Sequence, residues 1–388
     1  MPFALSIHAD YRCSHSGLCC TSDWDIPVEL PLYRTLADAL AAGRLASAAD
    51  PADGSPVLVT GPDLPEDAAA IVARTDRGDC VFYHRRSGLC VIQRDRGEAS
   101  LPAACRHFPR QVLRDRRGTF ITLSHYCPTA AALLFRDDVP AAIVEGPAAF
   151  PPAQYEGLDV TADEWPPLLH PRMLMDLDGY SAWERHMVAR SADEPLSPES
   201  VVATLDRDAR LLRQYRPGSG SLAEAVGRLP AGAVAAVPPV SLSASLERYG
   251  EAMGAVPDDL RPQPDEAGLE EAYADGVLPE WGRWTGPLNR YLAAKAFASW
   301  TAYQGRGVLT IVRGLDAALS LVRVEASRQC RDLGRRLDAE LVCEAFGQAD
   351  YLLNHLAAGA DLAAAWSQVE DRDDGTVVAG PEFALDRA

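Results

Sequence analysis

The chain has 388 residues, 47% hydrophobic and 24% charged, which excludes a disordered or fibrous protein and, at roughly 150 residues per domain, predicts two or three globular units. Thirty-seven basic residues against fifty-five acidic ones give a formal charge of −18, which excludes a general nucleic-acid or anionic-membrane binder, since both need a basic face. No apolar run approaches the ~18 residues of a membrane span, and Met1 to Asp10 lacks the parts of a secretory signal, so a cytoplasmic protein is expected.

Residues 1–147 read as one unit of short elements. Pro27 to Leu45 carries Leu30, Tyr33, Leu36 and Leu40 at helical spacing and predicts a helix, and Asp50 to Asp67 reads as loop. Cys80 to Cys90 resembles a hairpin around Arg85-Arg86-Ser87-Gly88, and Gln111 to Leu123 a second one turning near Arg117-Gly118. Pro128 opens a short helix, Thr129 to Phe135. The proline-rich stretch from Gly146 to Pro167 reads as linker, and residues 148–388 as a helical domain with a frayed end. In that domain Ser197-Pro198 is a helix start, and Arg216 to Ser221 a linker rather than a phosphate loop. Pro287 opens a long amphipathic helix through Trp300 and Tyr303. The fold class expected is α+β, mostly α: a small cysteine-rich N-terminal domain with short hairpins, and a larger helical C-terminal domain.

Of nine cysteines, seven lie in the first 127 residues: Cys13, Cys19, Cys20, Cys80, Cys90, Cys105 and Cys127. Cys330 and Cys343 border apolar helical stripes and read as core. An odd number of clustered cysteines in a chain too long to need staples points to metal ligation rather than disulfides. Gly17 lets the first loop fold back, and Cys127-Pro128 sets a thiol before a helix start, where a thiolate is favoured. From Arg74 to Arg117, eleven arginines face five carboxylates, a local positive excess suited to a centre whose formal charge is about −2. The same island suits a substrate carboxylate or an acidic partner. Counting leaves two metals open. One 4Fe–4S cluster uses four of the seven thiols; two zinc ions would use all seven plus one of His15, His107 or His125. The absence of C-x2-C pairs leans toward iron–sulfur. Lysine is confined to Lys295, which reads as a coding bias toward arginine.

Cys13-Ser-His-Ser-Gly-Leu-Cys19-Cys20 with Trp24-Asp-Ile-Pro27, Cys80-Val-Phe-Tyr with Gly88-Leu-Cys90-Val-Ile-Gln, Leu101-Pro-Ala-Ala-Cys105-Arg-His-Phe-Pro109-Arg110 and Leu123-Ser-His-Tyr-Cys127-Pro128 together resemble the bacterial flagellin lysine N-methylases, within the YkgJ-type cysteine-cluster proteins labelled zinc- or iron-chelating. The resemblance is strong over residues 11–135 and looser beyond, where Asn289-Arg-Tyr-Leu and the approach to His355 are similar. It implies a 4Fe–4S cluster on these cysteines and methyl transfer from S-adenosylmethionine to lysine of a partner protein. Ser14, Ser16 and Gly17 stand where the family carries a further cysteine, with His15 as a replacement ligand. No glycine-rich S-adenosylmethionine loop and no C-x3-C-x2-C triad are present, so a cluster iron would take the methionine amine and carboxylate, with Arg106 or Arg110 pairing the carboxylate. Tyr83, His84, His107, His125 and Tyr126 lie beside the cysteines as proton acceptors, with no choice among them. The competing reading is a non-catalytic zinc- or iron–sulfur-binding module with a structural or partner-binding role. A redox or metal-delivery role would need exposed, exchangeable ligands. Neither oligomeric state nor protein target is legible.

Overall fold

The computed structural model describes residues 2–22, 24–65, 67–146, 157–162, 165–192, 196–234, 237–238, 240–262 and 265–373. The frayed end and part of the proline-rich linker, residues 147–156, 163 and 164, lie outside the described residues.

Twelve short strands run in chain order among them: β1 (Pro2–Leu5), β2 (Pro27–Glu29), β3 (Leu58–Val59), β4 (Ala68–Val72), β5 (Tyr83–His84), β6 (Leu89–Cys90), β7 (Arg110–Asp115), β8 (Gly118–Leu123), β9 (Ile143–Glu145), β10 (Gly157–Asp159), β11 (Leu168–His170) and β12 (Met173–Leu174). The largest sheet has the order β10–β7–β8–β1–β9. Its centre is the β7–β8 hairpin, in register from Arg110 opposite Leu123 to Asp115 opposite Gly118, as the sequence indicates. β1 adds in parallel to β8, with Phe3 stacked on Phe120 at 5.2 Å, and β10 adds in parallel to β7. A second sheet, β2–β4–β3, takes in residues read as helix and loop. Pro27 to Glu29 pair with β4, so the helix expected from Pro27 starts only at Leu30. The Cys80–Cys90 hairpin is present as the short β5–β6 ladder.

The helices are α1 (Leu18–Thr21), α2 (Leu30–Ala41), α3 (Val91–Arg96), α4 (Ala103–His107), α5 (Pro128–Leu133), α6 (Leu177–Ala192), α7 (Pro198–Leu212), α8 (Leu222–Gly227), α9 (Leu242–Met253), α10 (Leu269–Ala272), α11 (Leu278–Trp281), α12 (Thr285–Ala296), α13 (Thr301–Gln304), α14 (Val308–Leu333), α15 (Ala339–Tyr351) and α16 (Gly359–Asp373). The protein is mostly-α α+β. Ser197 caps α7 by accepting from Ser200 N, and Ser221 and Glu224 form a capping box on α8. Among the described residues no helix is long and apolar enough to cross a membrane.

The long helix expected from Pro287 is broken. α12 starts two residues earlier, at Thr285, and stops at Ala296; Phe297 is extended and Ala298 left-handed (φ 53°) before α13 begins. The break turns the next aromatics onto the sheet. Trp300 Nε1 donates to Val112 O at 3.1 Å, and Tyr303 donates to Asp115 Oδ2 at 2.6 Å.

Two main hydrophobic cores result. The larger one surrounds α14 and runs on into the five-stranded sheet, so that Leu5, Leu113 and Phe120 share it with Trp183, Leu292 and Phe297 across residue 147. Cys330 is buried there, and Cys343 half-buried against it. The smaller core spans Ile26 to Leu101, with Cys80 inside it and Cys20, Cys90 and Cys105 packed against it.

Candidate metal centre

Each cysteine reaches the site by a different local device. Gly17, left-handed at φ 80°, starts α1, which carries Cys19 and Cys20. A Cβ at Gly17 would collide with the Tyr83 ring, so glycine is required for that close approach. Cys80 N donates to Cys20 O at 2.8 Å, tying the first loop to the hairpin. Cys90 is the N-cap residue of α3, where burial pushes its thiol up and the nearby backbone N–H groups of Gln93 and Ile92 oppose that. Cys105 lies on α4, and Cys127 is the N-cap residue of α5 with Pro128 following. All seven side chains line one cavity of about 390 Å³.

Within that wall the thiols form two groups. Cys19, Cys20, Cys80, Cys90 and Cys105 lie close enough to perturb one another's ionisation. Burial pushes the Cys80 thiol up to about 11, and holds Cys105 well above its ordinary value, with Cys80, Cys19 and Cys90 adding to the effect. Cys19 moves the other way: Cys20, its Sγ 3.9 Å distant, donates to it, and the Arg74 guanidinium also favours its thiolate. Cys13 and Cys127 form the other flank, and Cys13 is linked to the first group because Cys19 also opposes its ionisation. His15 N approaches Cys13 Sγ at 3.3 Å, and the Tyr11 hydroxyl lies 3.5 Å from Cys127 Sγ.

Zinc bonds of about 2.3 Å at tetrahedral angles require thiolates roughly 4 Å apart. Cys19 and Cys20 have that spacing, but among the described residues no three His, Cys, Asp or Glu are gathered so as to hold an ion. Thiols that oppose each other's ionisation are an unfavourable assembly on their own, and a cation among them would invert that balance, so the donor set suits a soft metal centre.

Arg12, Arg106 and Arg110 line the same cavity, and Arg110 lies over the Tyr11 ring at 5.5 Å. Arg74 supports it from behind: its charge acts on Cys19, Cys80 and Cys105, while its Nε and one terminal nitrogen are buried without a partner among the described residues. The positive island is smaller than the arginine count implies, because Arg85, Arg94, Arg114 and Arg117 are engaged by Asp79, Asp95, Asp159 and Asp115.

The five proton-acceptor candidates stand elsewhere. None is in the cavity wall among the described residues. Tyr83 lies under Gly17, and the His84 ring is engaged by Ser87 at 2.7 Å. His107 lies at the end of α4. His125 is wholly buried between Asp350 (3.1 Å) and His8 (3.2 Å). Tyr126 stacks on Tyr351 at 4.7 Å. The wall instead offers Tyr11, His15, Gln93 and Glu98, the last its one carboxylate among the described residues. Tyr11 and Arg12 were legible from their place before Cys13. Gln93 follows Cys90 by one helical turn, a spacing that would have found it.

No known protein family, curated protein or solved structure matches the chain.

Proposed function

We propose that the chain is an iron–sulfur protein that transfers a methyl group from S-adenosylmethionine to lysine of a partner protein. The observation that carries this reading is the convergence of seven thiols and three guanidinium groups on one cavity of about 390 Å³, a volume in the range of small-molecule sites. The cluster would draw its ligands from Cys19, Cys20, Cys80, Cys90 and Cys105, three of them where one iron is left open to the methyl donor, with Cys13, Cys127 and His15 at hand on the other flank. When bound, the cluster supplies a Lewis-acidic iron for the amine and carboxylate of the methyl donor.

The protein's own groups do the rest. Arg106 and Arg110 orient the donor's carboxylate through charge-assisted hydrogen bonds. Glu98, on the exposed rim, takes the proton from the incoming lysine ammonium. The freed nitrogen lone pair then forms the N–CH3 bond as the S–CH3 bond breaks, and the sulfonium leaves as a neutral thioether. The apolar part of the wall, with Ile26, Val72, Phe82 and Ile92, keeps water from the methyl group.

Anaerobic purification with metal analysis and visible spectroscopy tests the first half: a brown protein with iron and sulfide is expected, and a metal-free protein would overturn it. Calorimetry with S-adenosylmethionine tests the second half, since an iron-loaded protein without affinity for it would remove the methyl-transfer reading. The 3.9 Å spacing of Cys19 and Cys20 favours one alternative, a non-catalytic zinc module, which a colourless protein with stoichiometric zinc would establish.

A further inference from the structure

A second cavity, of about 170 Å³, lies between the β7–β8 hairpin and the helices, and it exists because α12 breaks. Phe297, left-handed Ala298 and Ser299 form part of its wall, so the strained segment leaves a gap where a continued helix would have filled space. Lys295, the last residue but one of α12, is also in that wall. It is the only lysine in the sequence, all other basic positions being arginine. An ammonium on a slender stem carries three rotatable donors, where a guanidinium would present a wider planar fork.

The wall carries amide and hydroxyl groups such as Gln111, Thr122 and Gln304, but its buried atoms without a partner among the described residues are donors. Lys295 Nζ gives one hydrogen to Asp350 Oδ1 at 2.6 Å, and Asp350 is already engaged by the Tyr291 hydroxyl at 2.8 Å and His125 N at 2.6 Å. Trp366, only 6% exposed, and Asn354 also line the cavity, and their Nε1 and Nδ2 groups are buried without an acceptor among the described residues. Buried donors left unmatched are costly, so the missing partner is an acceptor. Leu315, Leu353 and Leu362 make much of the remainder apolar. A cavity of roughly 150 Å³ takes benzene, which sets the size of the body that fits.

We propose that this cavity binds a small, largely apolar molecule carrying a carboxylate or carbonyl oxygen, with Lys295, Asn354 and Trp366 as its donors. The site stands at the junction of the sheet and the helices, where ligand sites commonly form. It shares no lining residue with the cysteine cavity.

Calorimetry and ligand-observed NMR on the full chain, with benzoate, benzamide and toluene as probes, test the proposal. Benzoate or benzamide is expected to bind about tenfold or more tightly than toluene, because only the first two offer an acceptor to the buried donors. Benzoate as the tighter of the two identifies a carboxylate ligand, and benzamide a neutral carbonyl. Trp366→Phe, which removes the N–H with the five-membered ring and keeps one aromatic ring, is expected to weaken the preferred probe several-fold while leaving toluene little changed. Ala318→Leu, which fills the cavity from α14, is expected to abolish binding of all three. Equal binding of toluene and benzoate, no binding of any probe, or unchanged binding by Ala318→Leu would overturn the assignment.

Discussion

Gly17 and His355 show how much single positions decide. Gly17 lies in the left-handed region and against Tyr83, so Gly17→Ala meets both a backbone penalty and a collision. A cost of about 1–3 kcal/mol is expected from the backbone alone, and α1 must move, carrying Cys19 and Cys20 with it. Denaturant unfolding and metal content are expected to fall together; retained metal at wild-type stability would show that the loop tolerates a side chain. His355 is enclosed by Trp24, Phe108, Tyr126 and Tyr351 at ring distances of 5.3 to 6.2 Å, and its Nε2 meets Ser124 Oγ at 3.0 Å. Burial holds its pKa down at about 4. The unfolded chain takes up a proton near pH 6.5 while the folded one refuses it until near pH 4, so stability is full above that window and lost as pH falls through it. The loss is up to about 3 kcal/mol. Urea titrations at pH 7 and pH 4.5 are expected to show this fall, and His355→Gln to make it shallower. An equal acid loss in the variant would assign it to other groups, of which buried His8 has the same sign.

Among the elements, the segment from Ser124 to Cys127 is fixed residue by residue. Ser124 meets His355, His125 donates to Asp350, Tyr126 stacks on Tyr351, and Cys127 lies against Tyr11. α15 and the turn after it thereby hold a cysteine of the site, which assigns the helical part a positioning role. Asp350 carries most of this load, with the ammonium of Lys295 and the hydroxyl of Tyr291 on its other oxygen. Asp350→Asn leaves a buried cation without its counter-charge and is expected to cost about 3–5 kcal/mol, against about 1 kcal/mol for Tyr291→Phe. Chemical denaturation of the two variants separates these values, and similar losses would mean that the ion pair contributes little. At this scale the sequence was readable wherever the signal is local. The hairpins, the Ser197-Pro198 start and the α14 stripe show in neighbouring residues. The parallel additions of β1 and β10 do not, because their partners lie far along the chain. The break at Ala298 carries neither glycine nor proline, and it forms because Trp300 and Tyr303 find hydrogen-bond partners on β7. The seven cysteines were legible as a set from count and clustering, whereas the supporting role of Arg74 and the removal of His125 from the cavity depend on tertiary packing.

At the level of the whole molecule, the two main cores differ in what they need. The larger one encloses α14 on most sides and joins sheet to helices, which gives it the greater buried apolar area. The smaller core, Ile26 to Leu101, is built from short strands and short helices, and a core of this size by itself supplies only about 3–5 kcal/mol, so a staple would add much to it. All nine cysteines are free thiols, which leaves the cysteine cavity as the place where such a staple would act. If the proposed metal binds there, its binding and the folding of this region would be one equilibrium. Hydrogen exchange on protein treated with a chelator is expected to lose protection from Cys13 to Cys105, while α14 and the β7–β8 hairpin keep theirs. Loss of protection along α14 to the same degree would mean that the cores unfold as one, and the staple would then support the entire chain. Unchanged protection around Cys80 and Cys90 would mean that their packing against Val81, Phe82 and Ile92 suffices by itself.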